Sequence, residues 1–372
     1  MSIFFCGMDV HKESVMVAVL EAEGAEPQRV ERLPNELAKL ERFFSKLARR
    51  GEVRACYEAS GAGYVLHRDM TTWGHHCEIV APSLIPIRPG ERRKHDRRDA
   101  IQLARMYRAG ELVSIRIPSE AEERVRDLVR CRQVFQREIL RSRHYILKFL
   151  RRRGVVYRQG SHWTLRHRGW LKSLLDDGQL EAQDAIVLAE YLALMEYKVH
   201  RRDELDGRIE KLALSPPYKE AVERLRCFRG IKTLTAMVLV TEIGDWRRFN
   251  SPSQLMSYLG LIPSEHSSGS NQRRGRITKA GNSYCRHVLV QAAWSYRHRP
   301  HLGPALKKRQ RGQPPTVISQ SWKAQHRLHR LYGRIAFKKV PQVAAVAVAR
   351  EMVGFLWATM RELDAERSTK VA

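Results

Sequence analysis

Four carboxylates in this sequence could act together in chemistry: Asp9, Glu58, Asp96 and Asp99. Asp96 and Asp99 stand three residues apart, so on a helix they project from one face and could share a divalent cation. They lie in a strongly basic run whose cationic members are Arg92, Arg93, Lys94, Arg97 and Arg98. Carboxylates bind metal ions and arginines bind phosphate groups, so this run predicts a metal-dependent enzyme that acts on nucleic acid.

A second stretch with chemical potential is a polar segment in which serines stand beside cations. Ser267 and Ser268 precede Gly269, and four basic residues follow them: Arg273, Arg274, Arg276 and Lys279. A serine hydroxyl attacks poorly until it is deprotonated and the attacked phosphate is neutralised, so a basic cradle is the setting it requires. On the residues alone, a solvated turn is the favoured interpretation, because Ser-Gly segments are common in turns.

The charge of the chain favours a polyanionic partner. Lys and Arg number 67 against 40 Asp and Glu, which gives a formal charge of +27. From His266 to Arg350 there is no carboxylate, yet this stretch carries 18 Lys or Arg and six His. We therefore expect nucleic-acid binding that weakens steeply with salt, the alternative being a generic solvated basic face.

Length and composition indicate a folded protein rather than a disordered one. The 372 residues, 43% of them hydrophobic, permit a sizeable core and two or three domains. The six cysteines lack the paired spacing of zinc sites and are typical of buried thiols in a reducing compartment. The N-terminus has no signal-peptide pattern and no apolar run approaches membrane-spanning length, so we expect a cytoplasmic protein without a membrane partner.

The elements that must position the carboxylates alternate between strands and helices. Asp9 and Glu58 each fall at the end of a predicted strand, where an α/β sheet gathers ligands. The predicted elements, in chain order, are two strands within residues 3–20, a helix near residues 34–49, a strand at Val53–Glu58, a helix opened by Gly61 and Gly63, a strand at Cys77–Ala81 and a helix from about Lys94 to Arg108.

After Pro118, apolar residues recur at coiled-coil spacing in two long stretches separated by a basic connector, residues 151–169. Two such helices can form an antiparallel coiled coil, which could serve dimerisation or act as an intramolecular prop between domains. Arg132 and Arg202 interrupt its apolar seam. The run Ser215–Pro217 marks a boundary.

The last part of the chain is predicted to be mostly helical. Residues 225–243 resemble a helix-hairpin-helix, whose turn presents backbone amides to a phosphate, although Lys232 and Thr233 stand where a second hairpin glycine is usual. The predicted domains are a catalytic α/β domain at residues 1–115, a helical spacer for oligomerisation at 119–214 and a C-terminal domain at 218–372.

Several motifs, in order and over nearly the whole chain, resemble one family, the insertion-sequence 110 transposases. The motifs are Gly7–Lys12, Tyr57–Gly61, Lys94–Ala100, Tyr258–Pro263, Ser267–Gly269, Ile277–Asn282 and Ala347–Glu351. The resemblance implies a ribonuclease-H-like, Holliday-junction-resolvase-like N-terminal domain and a C-terminal transposase domain with a catalytic serine. It gives the metal-ligand roles to Asp9, Glu58, Asp96 and Asp99, and the nucleophile role to Ser268, with Ser267 as the alternative.

The same resemblance implies a mechanism and partners. Magnesium ions, or manganese, would hold the scissile phosphate while the serine attacks it and leaves a covalent phosphoserine with a free hydroxyl end. Because metal ligands and serine fall in different domains, it implies composite sites between subunits of a dimer or tetramer. It also implies that a structured RNA made from the element pairs with the double-stranded DNA of element ends and target.

Three hypotheses of function follow from these residues. A DNA transposase that works as a serine recombinase is favoured. A hydrolytic, structure-specific junction nuclease would need the carboxylates but not Ser268, and a catalytically silent nucleic-acid binder would need neither.

Overall fold

The computed structural model describes residues 2–86, 95–268 and 271–371; for residues 266–268, 271–274, 370 and 371 it describes the backbone alone. The chain divides into two compact units, Met1–Pro118 and Ser119–Ala372. The further division of the second unit into a spacer and a C-terminal domain stays a prediction.

The first unit is a mixed α/β structure around one five-stranded sheet, which confirms the predicted α/β alternation. The strand order is β3-β2-β1-β4-β5. The pairs β3–β2 and β2–β1 are antiparallel, and the pairs β1–β4 and β4–β5 are parallel. Its elements are β1 (Ser2–Val10), β2 (Ser14–Glu21), β3 (Arg29–Pro34), α1 (Leu37–Ala48), β4 (Gly51–Glu58), α2 (Val65–Thr72), β5 (His76–Val80), a 3₁₀ turn (Pro82–Leu84) and α3 (Asp96–Arg108).

Both faces of this sheet are covered. Side chains alternate across β1, so Cys6 and Met8 point to one face while Gly7 and Asp9 point to the other. Helices α1 and α2 cover the first face, where Phe44 is fully buried among the strand residues. Burying a side chain as large as that of Phe44 contributes roughly 1.5–3 kcal/mol to the free energy of folding. Helix α3 covers the second face.

The second unit begins with two long helices that run antiparallel, as the apolar spacing predicts. They are α4 (Glu120–Arg152) and α6 (Ala182–Ala213), with α5 (Leu165–Asp176) between them in sequence. Ser119 and Glu122 form a capping box that starts α4. Arg132, predicted to interrupt the apolar seam, instead pairs across it with Asp206 at 2.6 Å.

The remaining elements of the second unit are mostly helical. They are α7 (Lys219–Leu225), α8 (Thr233–Ile243), α9 (Pro252–Tyr258), β6 (Pro263–Ser268), β7 (Asn271–Ile277), α10 (Ser283–Ala293), α11 (Pro304–Gln310), α12 (Pro315–Ala336), α13 (Pro341–Val371) and two 3₁₀ turns (Trp246–Arg248 and Trp294–Arg297). One hydrophobic core joins α7, α8, α9, α10, α12 and α13 to the start of α4 and the end of α6, through Val129 and Ile209 among others.

Helix α13 is long and apolar enough to cross a membrane by length and composition, contrary to the expectation that no apolar run approaches that length. An 18-residue window has a mean hydropathy of 1.5, and half of that window is buried within the protein. Val348, Met352 and Leu356 are buried in the core of the second unit. Packing against α10 and α12 therefore accounts for its apolar composition.

Candidate metal cluster and serine hairpin

Asp9 and Glu58 lie side by side at the ends of neighbouring parallel strands. The paired positions of β1 and β4 run to Met8 and Tyr57, so Asp9 and Glu58 are the next residues on each strand. By the alternation of side chains, both belong to the face that α3 covers, the face on which Cys56 packs against Leu103. Both carboxylates therefore lie at strand ends, as predicted.

Gly7 allows the backbone of α3 to lie directly on β1. A Cβ atom at Gly7 would stand 2.3 Å from both the carbonyl oxygen of Ala100 and the amide nitrogen of Ala104, so no larger residue fits without movement. Asp96 is one helical turn before Ala100, as Asp9 is two residues beyond Gly7. This close contact sets the start of α3 against the end of β1.

Three side chains meet at this point, and we call them the metal cluster: Asp9, His11 and Asp96. The Nε2 atom of His11 lies 3.2 Å from Oδ2 of Asp9 and 3.6 Å from Oδ2 of Asp96. One ligand atom from each residue lies within 4.8 Å of the other two, a spacing at which all three could hold one divalent ion. The side chains are 18%, 43% and 39% exposed for Asp9, His11 and Asp96, so an ion and a substrate could reach them.

His11 was not predicted as a site residue. It follows β1 in the turn to β2, where its amide donates to the carbonyl of Ser14 at 2.9 Å and its carbonyl accepts from Asn35 at 2.8 Å. The spacing Asp9-x-His11 was the available signal, because residues two apart in extended chain face the same side. Both residues belong to the motif Gly7–Lys12.

The metal cluster contains two of the four predicted carboxylates. Asp9 and Asp96 meet in the metal cluster, whereas Glu58 and Asp99 are not members of it. Glu58 is exposed beside Asp9 on the next strand, and Asp99 lies in the first turn of α3 with Asp96. The N-terminal end of a helix favours such carboxylates, because its free amides carry partial positive charge. The ligand roles of Glu58 and Asp99 stay predictions.

The basic residues next to the cluster are described in part. Arg97 and Arg98 are exposed in the first turn of α3, with the amide of Arg98 bonded to the carbonyl of His95 at 2.8 Å. The other predicted phosphate contacts of this run, Arg92, Arg93 and Lys94, lie outside the described residues.

The serine-bearing segment contains two paired strands, so Ser267 and Ser268 lie on a strand and not in the solvated turn that the residues alone predict; residues 269 and 270 lie outside the described residues. We call β6 and β7 the serine hairpin. Ser268 pairs with Asn271 and Ser267 with Gln272 at the end of the hairpin furthest from its base. Serine, glycine and asparagine have low strand propensity, so the ladder comes from pairing rather than from a sequence pattern. The side chains of Ser267, Ser268, Arg273 and Arg274 lie outside the described set.

The two ends of the serine hairpin are hydrogen-bonded to each other and pack against α9 and α10; we call these contacts, at Gly260–Ile262 and Thr278–Asn282, the clamp. The amide of Thr278 donates to the carbonyl of Ile262 at 2.9 Å, and that of Lys279 to Gly260 at 3.1 Å. Gly281 has a φ of +64°, and a Cβ there would stand 2.0 Å from the carbonyl of Tyr258. Lys279 itself has a φ of +57°, a conformation rare for residues with side chains, and it is exposed together with Arg276.

A buried polar network supports this clamp from below. Asn282 caps α10 by accepting from the amides of Tyr284 and Cys285, and its Nδ2 donates to Oε2 of Glu242 at 2.7 Å. Glu242, whose side chain is 1% exposed, also accepts from Arg130 of α4 at 2.7 and 2.8 Å. The motif Ile277–Asn282 is thus explained by hydrogen bonding and close packing at the hairpin base.

The turn between α7 and α8, predicted as a helix-hairpin-helix turn, packs into the protein. Phe228 and Ile231 are fully buried, and a Cβ at Gly230 would stand 2.4 Å from the carbonyl of Ala292. Its role in phosphate binding stays a prediction.

The buried thiols are not candidates for nucleophiles. Burial raises the pKa of the Cys77 thiol to about 12, and it also raises the pKa values of Cys56 and Cys285. A thiol held neutral at physiological pH neither attacks nor binds metal readily.

Two family models match the chain. Residues 6–153 match a model described as a transposase, of the DEDD type in the IS110 group, and residues 222–308 match one described as "Transposase IS116/IS110/IS902 family". The first range contains all four predicted carboxylates, and the second contains the serine hairpin.

Relatives match over most of their length. "Putative transposase y4qE" of Sinorhizobium fredii (strain NBRC 101917 / NGR234) is 38% identical over 361 residues, 96% of this chain and 88% of that protein. "Transposase for insertion sequence element IS1533" of Leptospira borgpetersenii is 29% identical over 90% of this chain and 97% of that protein. The chain belongs to the IS110 family of insertion-sequence transposases, enzymes that cleave DNA and transfer its strands.

Proposed function

We propose that this transposase cleaves and rejoins DNA in a magnesium-dependent reaction in which Ser268 is the nucleophile. The observation that carries the proposal is the metal cluster, because two carboxylates and an imidazole converge at ion-binding distance on the α3 face of the sheet. The clamped serine hairpin of the second unit is the supporting observation.

We assign a ribonuclease-H-like, resolvase-like fold to the first unit. Support comes from the strand order β3-β2-β1-β4-β5. The three strands that come first in the chain form antiparallel pairs, and β4 and β5 then extend the sheet in parallel next to β1. The carboxylates then fall at the ends of the central strands β1 and β4 and on the helix that follows β5.

The donor atoms of the metal cluster fit a divalent ion. Carboxylate oxygens suit magnesium and manganese, and the imidazole of His11 is better tolerated by manganese, so both ions are candidates. Asp9, Asp96 and His11 would hold the ion, with Glu58 and Asp99 as the further proposed ligands. When bound, the ion offsets the negative charge that develops on the phosphate oxygens.

Ser268 would supply the covalent step. Its Oγ forms a bond to phosphorus as the bond from phosphorus to the leaving deoxyribose oxygen breaks. The serine gives up its proton, and the leaving oxygen takes one to become a free hydroxyl. Rejoining reverses the exchange with another strand's hydroxyl, so each broken phosphodiester is replaced. Arg276 and Lys279, exposed next to the clamp, are suited to hold the DNA backbone there.

The assembly we propose is a dimer that becomes a tetramer on DNA, with a coiled coil of α4 and α6 as the spacer. Metal cluster and serine belong to different units of the chain, so a complete site could combine units of two subunits. The partners would be element-end and target DNA and a structured guide RNA, in the cytoplasm. We propose that the RNA binds to basic residues of the stretch from His266 to Arg350, which contains no carboxylate.

A hydrolytic junction nuclease is the second candidate. The DEDD description of the matching family model favours it, because a carboxylate set with water as the nucleophile suffices for hydrolysis. In that case the serine hairpin would hold DNA without reacting.

Covalent trapping tests the proposal. Protein, magnesium, element-end DNA and co-expressed RNA are incubated and denatured, and the DNA-linked protein is mapped. We expect an adduct that Ser268→Ala abolishes and Ser267→Ala retains. An adduct that disappears in Ser267→Ala alone would move the nucleophile by one residue. Cleaved DNA without any adduct would reject the serine step in favour of the nuclease.

A further inference from the structure

The second unit has a basic pocket whose lining residues do not belong to the serine hairpin. It has a volume of about 510 Å³ and is lined by Arg327, Arg330, Leu331 and Arg334 of α12 and by Glu351 of α13. None of these residues belongs to the metal cluster or the clamp.

The three arginines form a row along one side of α12. Their spacing of three and four residues places them on successive turns of one helix face, over roughly 10 Å of helix. The adjoining side of α12 is fixed in the core, where Ala324 and Leu328 are fully buried. We call Arg327, Arg330 and Arg334 the arginine row.

Charge in this pocket is unbalanced. Arg327 forms an ion pair with Glu351. Within the described parts of the chain, no carboxylate lies within 4.0 Å of the guanidinium groups of Arg330 or Arg334. Like charges on adjacent turns of a helix repel, so the row favours a ligand that brings negative charge. The planar fork of a guanidinium matches the oxygens of a phosphate.

An exposed aromatic ring continues the same face. Phe337 follows Arg334 by three residues, lies next to the end of α12 and is 89% exposed. A ring left in water beside a cationic row is the combination with which proteins bind unpaired bases, since every base offers a face for stacking.

We propose that the arginine row and Phe337 bind a single-stranded stretch of nucleic acid. The arginines contact consecutive backbone phosphates, and the ring of Phe337 stacks on an unpaired base. Duplex DNA does not offer that base, so the site prefers single strands. The shared ligand chemistry is a phosphodiester chain with an unstacked base, from RNA or from DNA. The proposal adds a partner surface to the transposase and does not depend on Ser268 as the nucleophile.

Binding by the full-length protein tests the site without any cleavage. Fluorescence anisotropy is measured in EDTA with labelled single-stranded RNA, single-stranded DNA of the same sequence and the corresponding duplex. The test variant is Arg330→Gln with Arg334→Gln. The matched control is Lys307→Gln with Lys308→Gln, which removes the same charge from exposed positions on α11.

We expect the arginine variant to weaken single-strand binding about tenfold and to reduce the salt slope by about 1.4, the value for two phosphate contacts. Phe337→Ala should weaken it roughly tenfold with an unchanged salt slope, because stacking releases no counterions. The lysine control should lose much less affinity. The single strand that binds more tightly, RNA or DNA, identifies the source.

Equal losses in the arginine and lysine variants would overturn the proposal, because they would show a diffuse field and no site. Duplex binding that depends on Phe337 as strongly as single-strand binding would also overturn it. The binding assay contains EDTA and measures no cleavage, so its outcome does not depend on whether Ser268 is the nucleophile. A failed trapping experiment therefore leaves this result intact, and a failed binding experiment leaves the serine proposal intact.

Discussion

The metal cluster and the serine hairpin are positioned in opposite ways. The cluster stands on a five-stranded sheet, whose strands pair on both sides of β1 and whose two faces are buried under helices. The serine hairpin is a separate two-stranded sheet, and its strands pair only with each other in the described residues. Two strands alone are marginally stable in water, so the hairpin depends on its clamp.

Because of this difference, the two regions should respond to different kinds of substitution. Side chains that share one ion must stay within about 0.5 Å of their positions, and a buried sheet provides that rigidity. The contacts of the clamp lie at Gly260–Ile262 and Thr278–Asn282, at the other end of the hairpin from Ser268. The first region is therefore sensitive to packing beneath it, and the second to hydrogen bonds at its base.

Loss of a cluster carboxylate should have the largest effect. Asp96→Asn keeps the shape of the side chain but removes a negative oxygen from the site. The cleavage rate should therefore fall by more than the roughly 10–100-fold that is typical when a residue hydrogen-bonded to a metal ligand is replaced. Strand cleavage in magnesium measures this, with Glu23→Gln as the control because Glu23 is an exposed carboxylate of the same unit. Cleavage near the parent rate would remove the cluster from the mechanism.

Gly7→Ala should separate packing from ligand chemistry. Its Cβ would press on the backbone of α3, which costs about 1–3 kcal/mol of unfolding free energy and shifts Asp96 from Asp9. A displacement of this kind can cost on the order of 100-fold in rate. Gly61→Ala is the matched control, because a Cβ there meets no atom within 4 Å. Denaturant unfolding and cleavage should both change in Gly7→Ala alone. Equal behaviour of the two variants would contradict the packing argument.

His11→Ala should change the metal requirement more than the maximal rate. The ring is one of three ligands, so we expect the magnesium concentration for half-maximal cleavage to rise about 10–100-fold, with cleavage recovered at saturation. His76→Ala is the control, since that imidazole also lies near a carboxylate of the sheet, 3.8 Å from Glu78, outside the cluster. An unchanged magnesium requirement would exclude His11 as a ligand.

Sequence patterns predicted the first region better than the second. Strand ends at Asp9 and Glu58 follow from alternating β-formers, and Asp96 and Asp99 follow from helical spacing, so local rules sufficed. What they could not give is the contact of α3 with Gly7, which joins positions far apart in sequence and selects Asp96 as the partner of Asp9. His11 was missed for the same reason, because its second partner lies on α3.

In the second unit, sequence patterns predicted the long helices but not the serine hairpin. The long helices α4 and α6 followed from apolar spacing, whereas the hairpin was hidden because serine and glycine indicate turns. The clamp was equally hidden. Glu242 lies in an apolar stretch, and only the fold brings it to Asn282 and Arg130.

Glu242→Gln tests the clamp and should have the smallest effect on chemistry. An amide cannot accept all three hydrogen bonds of the buried carboxylate, although Arg130 is 49% exposed and water can replace part of its loss. We expect about 2 kcal/mol lower unfolding free energy for the second unit. Glu210→Gln, an exposed carboxylate on α6, should stay within about 0.5 kcal/mol of the parent.

A double variant, Glu242→Gln with His11→Ala, tests whether the two regions act independently. Glu242→Gln should lower the yield of the covalent DNA adduct without changing the magnesium requirement. His11→Ala should raise the magnesium requirement without lowering the adduct yield at saturating magnesium. The two sites share no partner among the described residues and lie in different units, so their effects on unfolding free energy should add within about 0.5 kcal/mol. Additive stabilities together with a strongly non-additive loss of adduct would mean that metal cluster and hairpin meet only in the assembled complex with DNA. Non-additive stabilities in the free protein would mean that the two regions are already coupled before DNA binds.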